Sequence, residues 1–126
     1  MTTVYDAGAL VAAERNRREF WADHLARLHL GDLPLVPAPV VGQVSRSGRQ
    51  AQLRRLLRGC DVVPTTEDDA HTAGLLLAAT RTDDVIDAVV SVLAANHDVE
   101  FVVTSDRRDI EPLLSAARAR ARVLDV

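Results

Sequence analysis

Lysine is missing from this chain of 126 residues, and all 15 basic residues are arginines. Receiver domains and haloacid-dehalogenase-type phosphatases pair an aspartate cluster with an essential lysine. P-loop NTPases also need one, in a Gly-x-x-x-x-Gly-Lys loop, to reach the phosphates. A Gly-x-Gly-x-x-Gly dinucleotide fingerprint is absent as well, because Gly8 stands alone after Asp6. These absences exclude four common classes of α/β protein.

Cysteine and long apolar runs are also scarce. The single cysteine, Cys60, excludes an internal disulfide and fits a reducing compartment, and one cysteine with four scattered histidines forms no zinc motif. No apolar run approaches the roughly 18 residues of a membrane span. Residues 1–6 have neither a basic nor an apolar leader segment, so we expect no secretion signal, no membrane partner and a cytoplasmic protein.

Aromatic residues make up only 3% of the chain, although 48% is apolar. The core is therefore expected to be aliphatic, with Phe20 and Trp21 as bulky exceptions. The length predicts one domain over residues 1–126. The net charge of −3 excludes a globally basic nucleic-acid binder, so any contact with nucleic acid must come from a local patch.

Short β-prone runs alternate with helical stretches along the whole chain. The predicted strands are Thr2–Tyr5, Leu35–Val36, Asp61–Pro64, Glu100–Thr104 and Arg122–Leu124. The predicted helices are Ala7–Glu14, Asn16–Leu30, Val40–Arg46, Gln50–Leu57, a helix capped by Thr66 and Asp69 that runs to about Ala79, Asp84–Ala95 and Asp109–Arg118. This alternation predicts an α/β fold with a mainly parallel sheet and helices on both faces.

Two aspartates directly follow predicted strands, Asp6 after the first and Asp106 after the fourth. Sites in open parallel sheets form just beyond the carboxyl ends of the strands. Each aspartate alone also fits a turn residue or a helix N-cap.

A third aspartate, Asp87, lies in a helix that is otherwise apolar around most of its circumference. Asp84, Asp87 and Ser91 recur at i, i+3 and i+7 and thus share one narrow face. Asp84 has an alternative explanation, since acids in the first turn interact favourably with the helix dipole. Asp87 is explained less well in that way, and a buried carboxylate is costly without a cation or hydrogen bonds. Three converging carboxylates predict a site for a hard divalent cation, Mg²⁺ or Mn²⁺.

The order and spacing of these acids resemble the PIN-domain family, especially the VapC-like toxin ribonucleases of toxin–antitoxin modules. The matching segments are residues 4–10, 85–90 and 102–106. The resemblance covers essentially the whole chain. It implies a five-stranded parallel sheet of order 3-2-1-4-5, an endoribonuclease activity on an RNA substrate, a small antitoxin protein as partner, and a homodimer.

The resemblance also implies roles for individual residues. Asp6, Asp87 and Asp106 would bind the metal, Ser105 would support the site by hydrogen bonding, and Asp84 or Asp109 would serve as outer acids. One position departs from the family pattern, because Gln43 stands where these nucleases usually carry a glutamate. At an effective dielectric constant of about 20, a unit charge ~4 Å from a cation interacts with it by roughly 4 kcal/mol per charge of the cation, and the neutral amide lacks this attraction. A catalytically impaired PIN domain that binds RNA or protein is therefore the alternative function.

Arginines flank the acids and suit phosphate, because the planar guanidinium donates two hydrogen bonds at once. Arg46, Arg107 and Arg108 are the predicted RNA contacts. Arg49, Arg54, Arg55 and Arg58 follow Arg46, and solvated helix faces explain this first group equally well. The stripe of Phe20, Trp21, Leu25 and Leu28 is interpreted as core, or as a dimer or antitoxin groove, rather than a platform for base stacking.

Overall fold

Five parallel strands form one sheet in the computed structural model, which describes residues 2–126; Met1 of the predicted domain lies outside the described residues. The strands are β1 (Thr3–Tyr5), β2 (Leu35–Pro37), β3 (Asp61–Val63), β4 (Phe101–Thr104) and β5 (Arg122–Asp125). The helices are α1 (Ala7–Glu14), α2 (Arg18–His29), α3 (Ala38–Val44), α4 (Ala51–Arg58), α5 (Glu67–Thr80), α6 (Val85–Asn96) and α7 (Arg107–Ala116). The observed order β3-β2-β1-β4-β5 confirms the predicted topology.

The strand register brings the carboxyl ends of the strands to one edge of the sheet. Tyr5 of β1 pairs with Val103 of β4, and Thr104 pairs with Asp125 of β5. The residues that follow β1 and β4, Asp6 and Ser105, therefore start from neighbouring positions at this edge. Asp6 and Ser105 are far apart in sequence, and the pairing of β1 with β4 brings them together.

The helices form two groups around the sheet. Helix α1 contacts α2, α3 and α4, whereas α5, α6 and α7 contact one another. The change of direction after β3 places these groups on opposite faces, because parallel crossovers are right-handed. A separate small core of Ala73, Leu76, Ala88, Val92 and Leu113, among others, joins α5 to α6 and α7.

Under α2, the aliphatic core contains an aromatic and polar cluster. Phe20 and Trp21 are buried, as predicted, whereas Leu25 of the same stripe is 45% exposed. The Tyr5 hydroxyl accepts a hydrogen bond from Arg27 and lies 2.8 Å from Nδ1 of His24. Since Arg27 can only donate, the Tyr5 hydroxyl proton is free to donate to Nδ1 of His24.

Several helix boundaries differ from the sequence prediction by one or two residues. Helix α3 begins at Ala38 because Pro39 fits the first helical turn. Helix α7 begins at Arg107 and not at Asp109, since the Asp106 carbonyl accepts the N–H groups of Asp109 and Ile110. The capping box at the start of α5 is confirmed, with reciprocal bonds between Thr66 and Asp69. Within residues 2–126, every helix is too short or too polar to traverse a bilayer.

Candidate metal centre

Asp6 is fixed at the end of β1 by bonds from the neighbouring strand. Its backbone N–H donates to the carbonyl of Val103 at 2.9 Å, and its carboxylate Oδ2 accepts from the hydroxyl of Thr104 at 2.7 Å. The side chain is only 4% exposed. The other carboxylate oxygen, Oδ1, is buried and has no hydrogen-bond partner among residues 2–126.

Thr104 connects two of the predicted acids. Its hydroxyl donates to Asp6 and accepts from the backbone N–H of Asp106 at 3.0 Å, and the residue is fully buried. The supporting role that we predicted for Ser105 thus belongs to its neighbour in the observed hydrogen bonds. Ser105 is exposed, and its hydroxyl lies so close to Gly8 that an added Cβ there would stand 2.5 Å from it. A glycine is therefore needed where α1 passes the end of β4.

Asp87 lies in the first turn of α6 and is 5% exposed. Asp84 is the N-cap of this helix, and its carboxylate accepts the Asp87 N–H at 3.0 Å. Burial raises the pKa of the Asp87 carboxyl to about 7, with further contributions from the charges of Asp84, Asp6, Asp106 and Asp109. Its Oδ2 is buried, with no hydrogen-bond partner in the described part of the chain.

Asp106 completes the cluster from the start of α7. One ligand oxygen each of Asp87, Asp106 and Asp109 lies within 4.8 Å of the other two. Burial raises the pKa of Asp106, and the neighbouring carboxylate of Asp109 raises it further. Asp109, an outer acid in the sequence hypothesis, is thus nearer to this group than the sequence alone indicated.

Asp84 and Ser91, which share a helix face with Asp87 in sequence, do not join the ligand group. Asp84 is exposed, and its carboxylate caps the start of α6 by accepting the Asp87 N–H. Its charge also raises the pKa of Asp87. The Ser91 hydroxyl donates to the backbone carbonyl of Asp87 at 3.0 Å. This bond, one helical turn back, satisfies the buried serine without any ligand.

Gln43 lies on α3, the helix that follows β2 at the same edge of the sheet. Its side-chain oxygen Oε1 is buried and lacks a partner within residues 2–126. Of the five buried side-chain polar atoms in that condition, three belong to Asp6, Asp87 and Gln43. Buried polar atoms are normally paired, so these three oxygens are acceptors that a ligand could use.

The predicted RNA contacts have different environments. Arg107 donates two bonds to the Asp125 carboxylate at 3.0 Å and one to the carbonyl of Val123, so its guanidinium is engaged at the end of β5. The guanidinium of Arg46 donates to the carbonyls of Gly42 and Ser45. Arg108 is exposed, and no hydrogen bond of its side chain is found within the described residues. Arg107 alone among the three is paired with a carboxylate within residues 2–126, so RNA would have to displace Asp125 to bind its guanidinium.

The donor set suits a hard divalent cation. Carboxylate oxygens are the preferred ligands of Mg²⁺ and Mn²⁺, and a cation would compensate the mutual repulsion that raises the pKa of Asp87 and Asp106. The unpartnered oxygens of Asp6 and Asp87 are available as acceptors. A cation held here would lie at the carboxyl edge of a parallel sheet, where such folds bind ligands.

Comparisons with known proteins agree with this fold. Residues 3–112 match the model of the PIN domain. The fold is similar to a crystal structure of VapBC2 from Rickettsia felis bound to a DNA fragment from their promoter, with a TM-score of 0.71 and 14% identity over 100% of this chain and 99% of that chain. This low identity shows a likeness of fold alone. The comparison with curated proteins gives no match.

Proposed function

The chain belongs to the PIN domain family, and on that premise we propose that it is an endoribonuclease dependent on Mg²⁺ or Mn²⁺. Two observations support this most strongly. The buried carboxylates of Asp6 and Asp87 each keep an oxygen without a hydrogen-bond partner within residues 2–126, and Asp87 forms a group of possible ligands with Asp106 and Asp109. Of the sequence hypothesis, Asp6, Asp87 and Asp106 remain the proposed ligands, and we add Asp109. Asp84 is retained as a residue that supports the ligand Asp87.

The protein groups have distinct proposed tasks. A bound divalent cation would activate water and neutralise charge on the phosphate under attack. The Thr104 hydroxyl orients Asp6, and the Asp84 cap fixes the turn that carries Asp87. Gln43, whose side-chain oxygen is buried without a partner within residues 2–126, would offer the same site a neutral acceptor.

We also propose a biological role on the basis of the fold. The similar solved structure is described as VapBC2 with promoter DNA. By analogy, we propose that the present protein is the toxin of a toxin–antitoxin module and binds a small antitoxin protein. It would act as one domain over residues 1–126, as a homodimer in the cytoplasm.

Gln43 favours a second candidate function. The family resemblance places a glutamate at this position, and the amide supplies an acceptor of nearly the same shape without the charge. A weaker hold on the cation would leave a PIN domain that binds RNA or protein but cleaves slowly. This candidate has the same fold and the same acid cluster as the first.

Two variants separate the candidates when cleavage of a labelled single-stranded RNA is measured with and without millimolar Mg²⁺. As an endoribonuclease, the protein should cleave in Mg²⁺, and Asp87→Asn should lower the rate about 100-fold or more, because the neutral amide is a poor cation ligand. Asp83→Asn is the matched control, since this exposed neighbour loses the same charge outside the cluster. Equal cleavage by Asp87→Asn and the parent protein would refute the nuclease proposal.

Gln43→Glu tests the second candidate in the same assay. If the parent protein is impaired, the added carboxylate should produce Mg²⁺-dependent cleavage that the parent lacks. The double variant Gln43→Glu/Asp87→Asn is the control, because it must remain inactive if the new activity comes from this site. Efficient cleavage by the parent protein rules the second candidate out.

A further inference from the structure

Charge is divided unevenly along the chain, although the net charge is small. Residues 7–60, which contain α1–α4, carry nine arginines and four acids. Residues 61–126, which contain α5, α6 and α7, carry 13 acids and six arginines. Because these two groups of helices lie on opposite faces of the sheet, one face of the protein is basic and the other acidic.

The arginines of the basic side are not neutralised by acids. Both ion pairs found within residues 2–126 involve Arg107, on α7. None of the nine arginines from Arg15 to Arg58 has a carboxylate oxygen of residues 2–126 within 4.0 Å of its guanidinium nitrogens. Glu14, an acid of α1 that contacts α4, instead accepts the backbone N–H of Leu53 at 2.7 Å.

Five of these arginines follow one another along α4 and the turn before it, and we call them the arginine face: Arg46, Arg49, Arg54, Arg55 and Arg58. All five are exposed, while Leu53 and Leu56 fix the opposite side of α4 in the core.

Neutral groups hold three of the five guanidinium groups in place. Arg46 donates to the carbonyls of Gly42 and Ser45, and Arg54 donates to the carbonyl of Gly48. The guanidinium of Arg55 stacks over the Trp21 ring, 4.3 Å from its centroid. Each group is thereby oriented while its full charge stays available, and its remaining N–H donors are free for a ligand.

We propose that the arginine face binds the phosphate backbone of single-stranded RNA. Arg46 lies at the end of the face nearest in sequence to Gln43, and its guanidinium donates to the carbonyl of Gly42. Exposed guanidinium groups without an acid partner, three of them oriented by neutral contacts, suit a chain of phosphates, which each accept two hydrogen bonds. The choice of RNA over another polyanion rests on the proposed function, whereas the presence of an anion site rests on the charges and contacts alone.

The test measures RNA affinity without cleavage. Fluorescence anisotropy of a labelled single-stranded RNA of about 16 nucleotides is followed in EDTA, over a range of salt concentrations. Arg54→Gln/Arg58→Gln removes two charges from the exposed side of α4, and we expect Kd to rise about tenfold or more. The slope of log affinity against log salt should fall by roughly 1.4, which is two contacts at ~0.7 each.

Two further double variants control the experiment. Arg118→Gln/Arg120→Gln removes the same charge from exposed positions between α7 and β5 and should change Kd less than about twofold. Arg54→Lys/Arg58→Lys keeps the charge and should retain most of the affinity. Thermal unfolding of each variant shows whether the fold is intact.

The outcomes distinguish this inference from the proposed function. Equal loss of affinity in the two Gln pairs, or no loss in either, would overturn it, because only net charge or another surface would then matter. If poly-glutamate displaces RNA equally well per charge, the face is a site for acidic protein segments and the RNA assignment is wrong. A protein that binds RNA through this face but never cleaves it would refute the nuclease proposal alone.

Discussion

The hydroxyl of Thr104 is the smallest group on which the geometry of the acid cluster depends. It donates to Asp6 and accepts from the N–H of Asp106, so one buried oxygen links the ends of β1 and β4. Without it, the Asp6 carboxylate oxygen Oδ2 and the Asp106 N–H would each lose a hydrogen-bond partner. Buried groups left without a partner cost about 1–3 kcal/mol each.

We predict that Thr104→Val lowers the free energy of unfolding by about 1–3 kcal/mol and reduces any Mg²⁺-dependent cleavage. Valine matches threonine in shape but can neither donate to Asp6 nor accept from Asp106. Urea denaturation measures the first effect, and the RNA cleavage assay the second. Thr104→Ser keeps the hydroxyl and should preserve more of both; if it behaves like Thr104→Val, the hydrogen bonds are not what the residue contributes.

At this scale the sequence indicated which acids to propose as ligands, but not which residues hold them in place. Asp6 and Asp106 could be predicted because each directly follows a strand, and Asp87 because its helix is otherwise apolar. Ser105 was named in place of Thr104 because side chains alternate between the faces of a strand, and the sequence does not show which of the two faces the acids. Without the exact end of β4, that alternation could not be applied.

The order of the secondary structure elements could be predicted because β-prone and helical runs alternate along the chain, and some helices also carry their own start signals. Helix α5 shows this most clearly, since the Thr66–Asp69 capping box was expected from sequence and is formed in the structure. Helix α7 shows the limit, because its first turn depends on a backbone carbonyl of Asp106 that no side-chain pattern reveals. How the strands combine into one edge came from the family resemblance and not from local signals.

Thr66→Ala should therefore destabilise the protein by about 1 kcal/mol, the usual loss when an N-cap hydroxyl is removed. The Asp69 N–H would lose its acceptor at the start of α5. Thr72→Ala, an exposed position within the same helix, is the control and should have little effect or a small stabilising one. Equal unfolding midpoints for Thr66→Ala and the parent protein, measured in urea, would contradict the assignment of the cap.

Across the whole molecule, stability should depend on both pH and metal through Asp87. Its pKa in the folded protein, about 7, is above the ordinary value of 3.8. The folded state then binds more protons than the unfolded state between these values, so this group's contribution is lost as pH rises through that range. Burial lowers the pKa of His24 and acts oppositely, since its contribution is lost as pH falls below about 6.5.

Comparison with Asp87→Asn isolates the carboxyl from the histidine. In EDTA, the variant should be close to the parent protein in stability near pH 4 and more stable by about 1–4 kcal/mol above pH 7, where the parent carries a buried charge. Added Mg²⁺ or Mn²⁺ should stabilise the parent protein at pH 7.5 and leave Asp87→Asn nearly unchanged. A stability difference that does not vary with pH would show that the pKa of the Asp87 carboxyl is not raised in the folded protein.

The parallel sheet has a practical consequence for anyone who labels this protein. Strand β5 runs toward the edge that holds the acids, and the Val126 N–H donates to the carbonyl of Thr104 at 3.2 Å. An affinity tag attached after Val126 would therefore begin next to the candidate site and compete with its ligands. A tag placed before Thr3 would leave from the opposite edge, where β1 starts, and is the better choice for activity measurements.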